Sequence, residues 1–436
     1  AGIAAVRTGR SRQERAGNCR LMKIAIIGTG ISGLVAAREL YQEHQLTIFE
    51  AADRIGGHTH TIDVELEDGS YSIDTGFIVF NEASYPNFST LVRELGIPTR
   101  KTTMSFSVRC DESGLEYNGT NLNTIFAQRR NLARPRFLGM LLDIMKFHRK
   151  APRALSSSDD VTVSDFVRQH GLGTAFFEDY LLPLGSALWS SSIAQFAEFP
   201  IRFVVEFMRN HHMLQAVNRP LWSVIEGGSR NYLEPLSMPF KHRIRTRTPV
   251  QTVRREPDHV SIVTRDSEVE NFDEVIFACH ADQALEILAD PSELEHRVLS
   301  SFPYQANDIV VHTDTAVLPR NRRAWAGWNY RKLPGNDSSA TVTYNMNMLQ
   351  GIDAPETFCV SLNHDELIDE DKVIRRLRYH HPVYDKRRSE AQGLHDELTG
   401  ANNTSFCGAY WGYGFHEDGV NSALAVCRKL KEETSL

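Results

Sequence analysis

Apolar residues follow three different rhythms along this chain. Lys23 to Ile27 and Leu46 to Phe49 are short apolar runs, and between them Leu34 to Tyr41 has helical spacing. Runs of that length suit strands buried on both faces of a parallel sheet. From Thr61 to Phe80 the rhythm becomes alternation, with Ile62, Val64 and Leu66 on one face and Asp63 and Glu65 on the other; Asp68-Gly69 supplies a hairpin turn. Tyr85-Pro86 opens a helical stretch with Leu91, Leu95 and Ile97 on its apolar side, and residues 103–118 read as a second hairpin. Residues 120–221 are mostly helical in pattern, with Pro135 at a first turn. Between 300 and 400 alternation returns: Val342, Tyr344 and Met346 share a face, as do Phe358, Val360 and Leu362. This predicts an antiparallel sheet facing a cavity, which Trp325, Trp328 and Tyr330 would make aromatic.

The turn between the first run and the first helix reads Gly28-Thr-Gly30-Ile31-Ser32-Gly33. In a strand–turn–helix context Gly28 makes the tight turn, Gly30 admits a pyrophosphate to the backbone, and Gly33 lets helix and strand approach. The helix N-terminus at Ile31 and Ser32 offers unpaired N–H groups and the positive end of a dipole. The second strand ends in Glu50, 22 residues after Gly28, where a carboxylate accepts hydrogen bonds from ribose hydroxyls. An acid there disfavours a 2′-phosphate, so FAD or NAD is expected rather than NADP.

Residues 50–58, EAADRIGGH, resemble the second glycine motif of the flavin amine oxidase superfamily, which includes phytoene desaturases and protoporphyrinogen oxidases. The resemblance implies that Arg54, Gly56 and Gly57 close over an FAD diphosphate; His58 stands where many members carry arginine. Asp74-Thr-Gly76-Phe77 looks like the family's segment beside the isoalloxazine ring. Gly227-Gly228 precedes a helix as in the family, and Val250 falls where relatives present backbone to the adenine. Residues 404–430 resemble the C-terminal flavin motif, with Gly408 in the glycine-rich turn and Gly419 and Val420 at the helix start. Gly408 is followed by Ala409, where many relatives carry an acid. His416 falls where amine oxidases place a cage aromatic, which makes it the candidate substrate-contacting residue, with Glu417 beside it. The wording of GFIVFN, TYNMN and GFHEDG is most similar to a bacterial group of NAD/FAD-binding oxidoreductases encoded beside cyclopropane-fatty-acid synthase genes.

The resemblance implies an α/β fold: a Rossmann-type FAD-binding domain (22–103, 222–290 and 401–436) with an inserted α+β substrate domain (104–221 and 291–400). It further implies non-covalent FAD, since no cysteine or histidine matches an attachment site. The expected reaction is hydride transfer to flavin N5 from an apolar substrate, a lipid acyl chain, in a desaturation or oxidation. The alternatives are an amine oxidase, a redox-neutral flavin isomerase, and a non-catalytic flavin-bound partner of a lipid methyltransferase.

Composition narrows this picture. The net charge of −7 gives no reason to expect nucleic acid. Cys19, Cys110, Cys279, Cys359, Cys407 and Cys427 include no CxxC pair, as expected of reduced thiols in the cytoplasm. His380-His381 lacks a third ligand at metal spacing, so no metal is expected. Residues 1–21 carry five arginines and one acid without an apolar segment, and read as an N-terminal extension outside the fold. Residues 129–150 hold seven Lys/Arg and one acid around Phe137, Leu141, Leu142 and Met145. Such a helix either packs those residues in a core or lies on an anionic membrane surface as a peripheral contact.

Overall fold

Lys23–Ile27 (β1) pairs in parallel with Gln45–Phe49 (β2), Ile24 opposite Leu46 and Ile27 opposite Phe49. The structure is a computed structural model that describes residues 20–156, 160–215, 220–265, 269–335, 340–384 and 386–434, so the N-terminal extension up to residue 19 lies outside the described residues. Around β1 and β2 a five-stranded parallel sheet forms in the order Thr404–Phe406, Glu274–Phe277, β1, β2, Ile244–Arg245. Both faces of this sheet are covered. Ile24, Ile26, Ile48 and Ile276 face one core, while Ala25, Phe49, Phe277 and Phe406 face another. Burial on both sides is why the strands read as runs rather than alternations.

Ile31–Leu40 (α1) packs beside the C-terminal helix His416–Thr434. They come close at Gly419, where a Cβ would lie 2.8 Å from Ile31 Cγ2 and 2.9 Å from Ser32 Oγ. The C-terminal helix starts at His416, three residues before the expected start. Asp418 Oδ2 accepts from the Phe415 amide at 2.8 Å, a carboxylate reaching back to close the helix entrance.

Thr61–Leu66 (β3) and Gly69–Asp74 (β4) form the expected hairpin. A second sheet of seven strands runs Val373–Pro382, Tyr304–His312, Cys359–Leu362, Val342–Asn345, Trp328–Lys332, Phe106–Cys110, Leu115–Asn118. Its pairs are antiparallel except that Trp328–Lys332 lies parallel to Phe106–Cys110, so the hairpin near residue 110 extends the sheet at one edge. Met346 is not on the strand with Val342 and Tyr344, because Asn345 caps a short helix there, its Oδ1 accepting from the Met348 amide at 3.1 Å.

The helices of residues 135–210 build a core of their own that includes Phe147, Phe166, Phe176, Trp189, Phe196 and Phe207. In the helix Pro135–Lys150, Phe137, Met140 and Phe147 are buried. Of the residues read as either core or surface contact, Leu142 and Met145 are 62% and 61% exposed. Among the described residues no helix is long and apolar enough to cross a membrane.

Candidate active site

The carboxyl ends of β1 and β2 open into a cavity of about 1350 Å³ that continues to the second sheet. That is larger than the roughly 300–1,000 Å³ of an ordinary small-molecule site. One end is formed by Gly28, Gly30, Glu50 and Val250, the other by Trp189, Trp328, Tyr344 and Leu362.

The glycines of the first turn divide by surroundings. Gly28 has φ +108, and a Cβ there would lie 2.7 Å from the Ala278 carbonyl oxygen. On Gly33 a Cβ would stand 2.0 Å from the Gly28 oxygen, so this glycine lets α1 pack on the turn. Gly30 is different: it caps α1 in extended conformation, and a Cβ there would meet nothing within 4 Å. Its missing side chain leaves open space at the mouth of α1, lined by Ile31 and Ser32. Gly57 comes over this point, its own Cβ direction 3.1 Å from Gly30 Cα. Gly56 packs elsewhere, its Cβ direction 2.6 Å from Leu233 Cδ1.

Glu50 lines the cavity with its carboxylate already oriented. One oxygen accepts from the Thr29 amide (3.0 Å) and the Thr29 hydroxyl, the other from the Ala52 amide (2.8 Å). Thr29, the variable residue of the first Gly-x-Gly, is thus a positioning residue that the motif alone did not single out. Val250 lies at the same end, where the Thr248 amide donates to the Glu50 carbonyl at 2.8 Å. Arg54 is not on the cavity wall, and its guanidinium donates to the Thr59 carbonyl at 3.4 Å.

His58 is on the wall, and its Nε2 is buried without a hydrogen-bond partner. Burial, and then the nearby Arg54 charge, lower its pKa to about 4. Tyr379 and His381 pack around it at 5.1 and 5.7 Å between ring centroids. His280 joins them at 5.9 Å and stacks on Tyr304 at 4.2 Å, while its backbone begins the helix Ala281–Ile287. Gly76 is pressed against this segment: a Cβ there would lie 2.2 Å from the His58 oxygen, to which the Phe77 amide donates at 2.9 Å. Asp74 is buried behind the wall, accepting from Thr61 and Ser229 at 2.6 to 2.9 Å.

The Phe77 ring stacks on His416 at 3.8 Å and 10°. His416 also meets Phe88 edge-on at 4.9 Å, and its Nε2 lies 2.7 Å from the Tyr232 hydroxyl, itself 2.5 Å from Thr59 Oγ1. Burial lowers the His416 pKa to about 3, so the ring is neutral and a poor proton acceptor near neutral pH. The structure thus gives His416 the place of a wall residue fixed by stacking. Glu417 does not reach the cavity. Its two oxygens accept from the Asn87 and Phe88 amides, each at 2.9 Å, capping the helix Pro86–Glu94 (α2) from outside. Gly419 and Val420 are also off the wall, one at the crossing with α1 and the other in the core. Gly408 is on it, its amide donating to Ser422 Oγ at 2.9 Å.

At the far end, Trp328 lines the cavity as expected, but Trp325 and Tyr330 do not. The Trp325 indole turns away to donate to the Pro319 carbonyl at 2.7 Å, and Tyr330 is buried behind the sheet with Val342. Phe415, Tyr413 and Trp189 take their place. For Phe415 the aromatic-rich GYGFH stretch was a signal; Trp189 had none, because the C-terminal end of the helix Leu182–Trp189 brings it there.

A dinucleotide fits these residues: an open Gly30 cradle at a helix N-terminus, an oriented acid at the end of β2, and a cavity whose volume exceeds that of an ordinary small-molecule site. Cys279 is the cysteine among the described wall residues, and burial pushes its thiol up to about 12, far from a nucleophile.

The sequence model of the family described as flavin containing amine oxidoreductase matches residues 31–431. Probable polyamine oxidase 4 of Arabidopsis thaliana is 35% identical over 92 residues, 20% of this chain and 17% of that protein. The chain thus matches less than a fifth of the length of the curated relatives, 17% and 18%. The structure of a CLA-producing fatty acid isomerase from P. acnes superposes with TM-score 0.67 at 17% identity, over 93% of this chain and 98% of that one. Cyclohexylamine oxidase from Brevibacterium oxydans gives 0.68 at 13% identity, over 95% and 99%. At these identities the two structures share the fold.

Proposed function

Because the chain belongs to the flavin containing amine oxidoreductase family, we propose that it is an oxidoreductase with non-covalent FAD and that its substrate is an apolar acyl chain. The observation that carries this reading is the charge of the cavity wall. Among the described residues the wall carboxylates are Glu50 and Glu286, and both belong to the nucleotide end. The far end offers Trp189, Leu184, Leu188, Trp328, Tyr344 and Leu362, with no carboxylate to hold an ammonium. Burying an unpaired charge there costs several kcal/mol, roughly, whereas an alkyl chain gains about 0.8 kcal/mol per buried methylene.

FAD, when bound, supplies the acceptor for hydride from a substrate C–H bond. Gly30, Ile31 and Ser32 would hold its diphosphate and Glu50 its ribose. Phe77 and His416 form a rigid, uncharged wall, and the aromatic residues at the far end orient the chain and exclude water. Removal of that hydride together with a proton, released to solvent, would give desaturation or oxidation, with oxygen as the final acceptor of the two electrons.

A second reading, a shift of a double bond without net oxidation, draws on the fatty acid isomerase that shares this fold. Product analysis separates the readings. The holoprotein is incubated with saturated and unsaturated fatty acids and with alkylamines, while oxygen uptake and double-bond positions are followed. A new double bond with oxygen uptake supports oxidation, and a moved double bond without uptake supports isomerisation. Oxidised amines with untouched acyl chains would overturn the apolar-substrate reading.

A further inference from the structure

We propose that the surface built by residues 120–150 docks on an anionic phospholipid bilayer, with an arginine-walled pocket beside it for lipid phosphate. Two independent features lead there.

The first is the outer face of Pro135–Lys150. Leu138, Leu142 and Met145 are 38%, 62% and 61% exposed. With 3.6 residues per turn, Arg134, Leu138, Leu142, Met145 and Arg149 fall within roughly 80° of one another, an apolar stripe with an arginine at each end. Leu132 (56%) and Leu122 (74%) continue the exposed apolar residues in the preceding turns. The opposite face of the helix is satisfied by the core through Phe137, Met140 and Phe147.

The second is a separate cavity of about 610 Å³ whose wall includes Arg109, Arg129, Arg130 and Arg320. Its two carboxylates are already engaged: Asp111 with Arg109 (2.7 Å) and Arg331 (2.7 Å), and Glu116 with the Arg320 and Asn321 amides (2.8 and 3.0 Å). Arg129 and Arg130 donate to the Phe126 and Gly114 carbonyls at 2.8 and 2.7 Å, leaving guanidinium charge for an anion. Arg129 and Arg130 precede exposed Leu132 in the same turn, Arg129–Ala133. An apolar stripe alone would suit another protein; joined to arginines that face a pocket, it matches acyl chains beneath phosphate headgroups.

The wall of the large cavity reaches this stretch of chain: Gly119 and Thr120 on it lie three and two residues before Leu122, and Leu221, also on the wall, is 70% exposed. A docked chain could therefore take an acyl substrate from the bilayer; that clause rests on the apolar-substrate reading, while the docking does not.

Co-sedimentation of the FAD-loaded protein with vesicles tests it. Vesicles containing phosphatidylglycerol should bind the protein at low salt at least about tenfold better than pure phosphatidylcholine, and high salt should weaken that binding. The Leu138→Glu, Leu142→Glu, Met145→Glu variant should lose about tenfold in binding with unchanged melting temperature and flavin content. Arg130→Gln with Arg320→Gln should weaken binding to phosphatidylglycerol and leave any residual binding to phosphatidylcholine unchanged. No preference for phosphatidylglycerol, or full binding by the triple variant, would overturn the proposal. So would a dimer in size exclusion that the triple variant dissolves without any vesicle binding. Flavin content and oxidation of a water-soluble short-chain substrate are read in parallel, so a failed docking proposal leaves the functional reading standing, and the reverse.

Discussion

Gly57 stands over Gly30: a Cβ on Gly57 would lie 3.1 Å from the Gly30 Cα, while one on Gly30 would meet nothing within 4 Å. The space above Gly30 is therefore kept for a ligand, whereas Gly33, 2.0 Å in the same sense from the Gly28 oxygen, is kept for packing. Gly30 has φ −62 and ψ 176, which any residue adopts. Gly30→Val should fold with an unchanged melting temperature and lose at least about tenfold in FAD affinity. Gly33→Ala should instead lose roughly 3 kcal/mol or more of stability, or fail to fold. The absorbance ratio of flavin to protein and a thermal melt distinguish the two.

Removing the Glu417 carboxylate orphans the Asn87 and Phe88 amides. Glu417→Ala should cost about 1–3 kcal/mol, read as a lower urea midpoint. Turnover per bound flavin should stay within about twofold, because the side chain caps α2 and touches nothing in the cavity.

A stacked wall residue and a proton carrier respond differently to the loss of a nitrogen. His416→Phe keeps the contact with Phe77 and removes the bond to Tyr232, so FAD binding should persist with turnover within about tenfold of the parent. A loss of about a thousandfold at full flavin occupancy would give His416 a proton-transfer role.

Acid should destabilise the fold through the cavity histidines. Burial lowers His58 and His211 to about 4 and His280, His381 and His416 to about 3, against 6.5 when unfolded. The unfolded chain binds these protons first, so the stability they contribute is present above pH 6.5 and falls as pH drops from there toward 3–4. Asp74 and Asp418, raised by burial to about 6 from 3.8, act in the opposite sense between pH 6 and 4. The histidines outnumber them, and a net uptake of roughly three protons on unfolding near pH 5 follows from these seven groups. Urea melts at pH 7 and pH 5 measure it.

The part of the site built by adjacent residues was legible in the sequence. β1, the Gly28–Gly33 turn and Glu50 need only a strand, a helix and a strand in succession, and each leaves a local mark. Contacts across the chain left none. Glu417 lies beside His416 in sequence, yet α2 draws its carboxylate away, and Arg54 follows the glycine motif's order without reaching the cavity. The C-terminal helix began earlier than Gly419 suggested because that glycine answers a need of α1 for close approach, while the local stop-and-start signal was Asp418. Periodicity identified Pro135–Lys150 as a helix, but which of its apolar residues are covered depends on neighbours it meets only after folding.

The most direct test of the central claim is the visible spectrum of the purified protein, followed without oxygen as fatty acids and a membrane-lipid extract are added. The account predicts an oxidised flavin band that bleaches with an acyl substrate and survives equal amounts of alkylamine. A band that bleaches with the amine alone would contradict it.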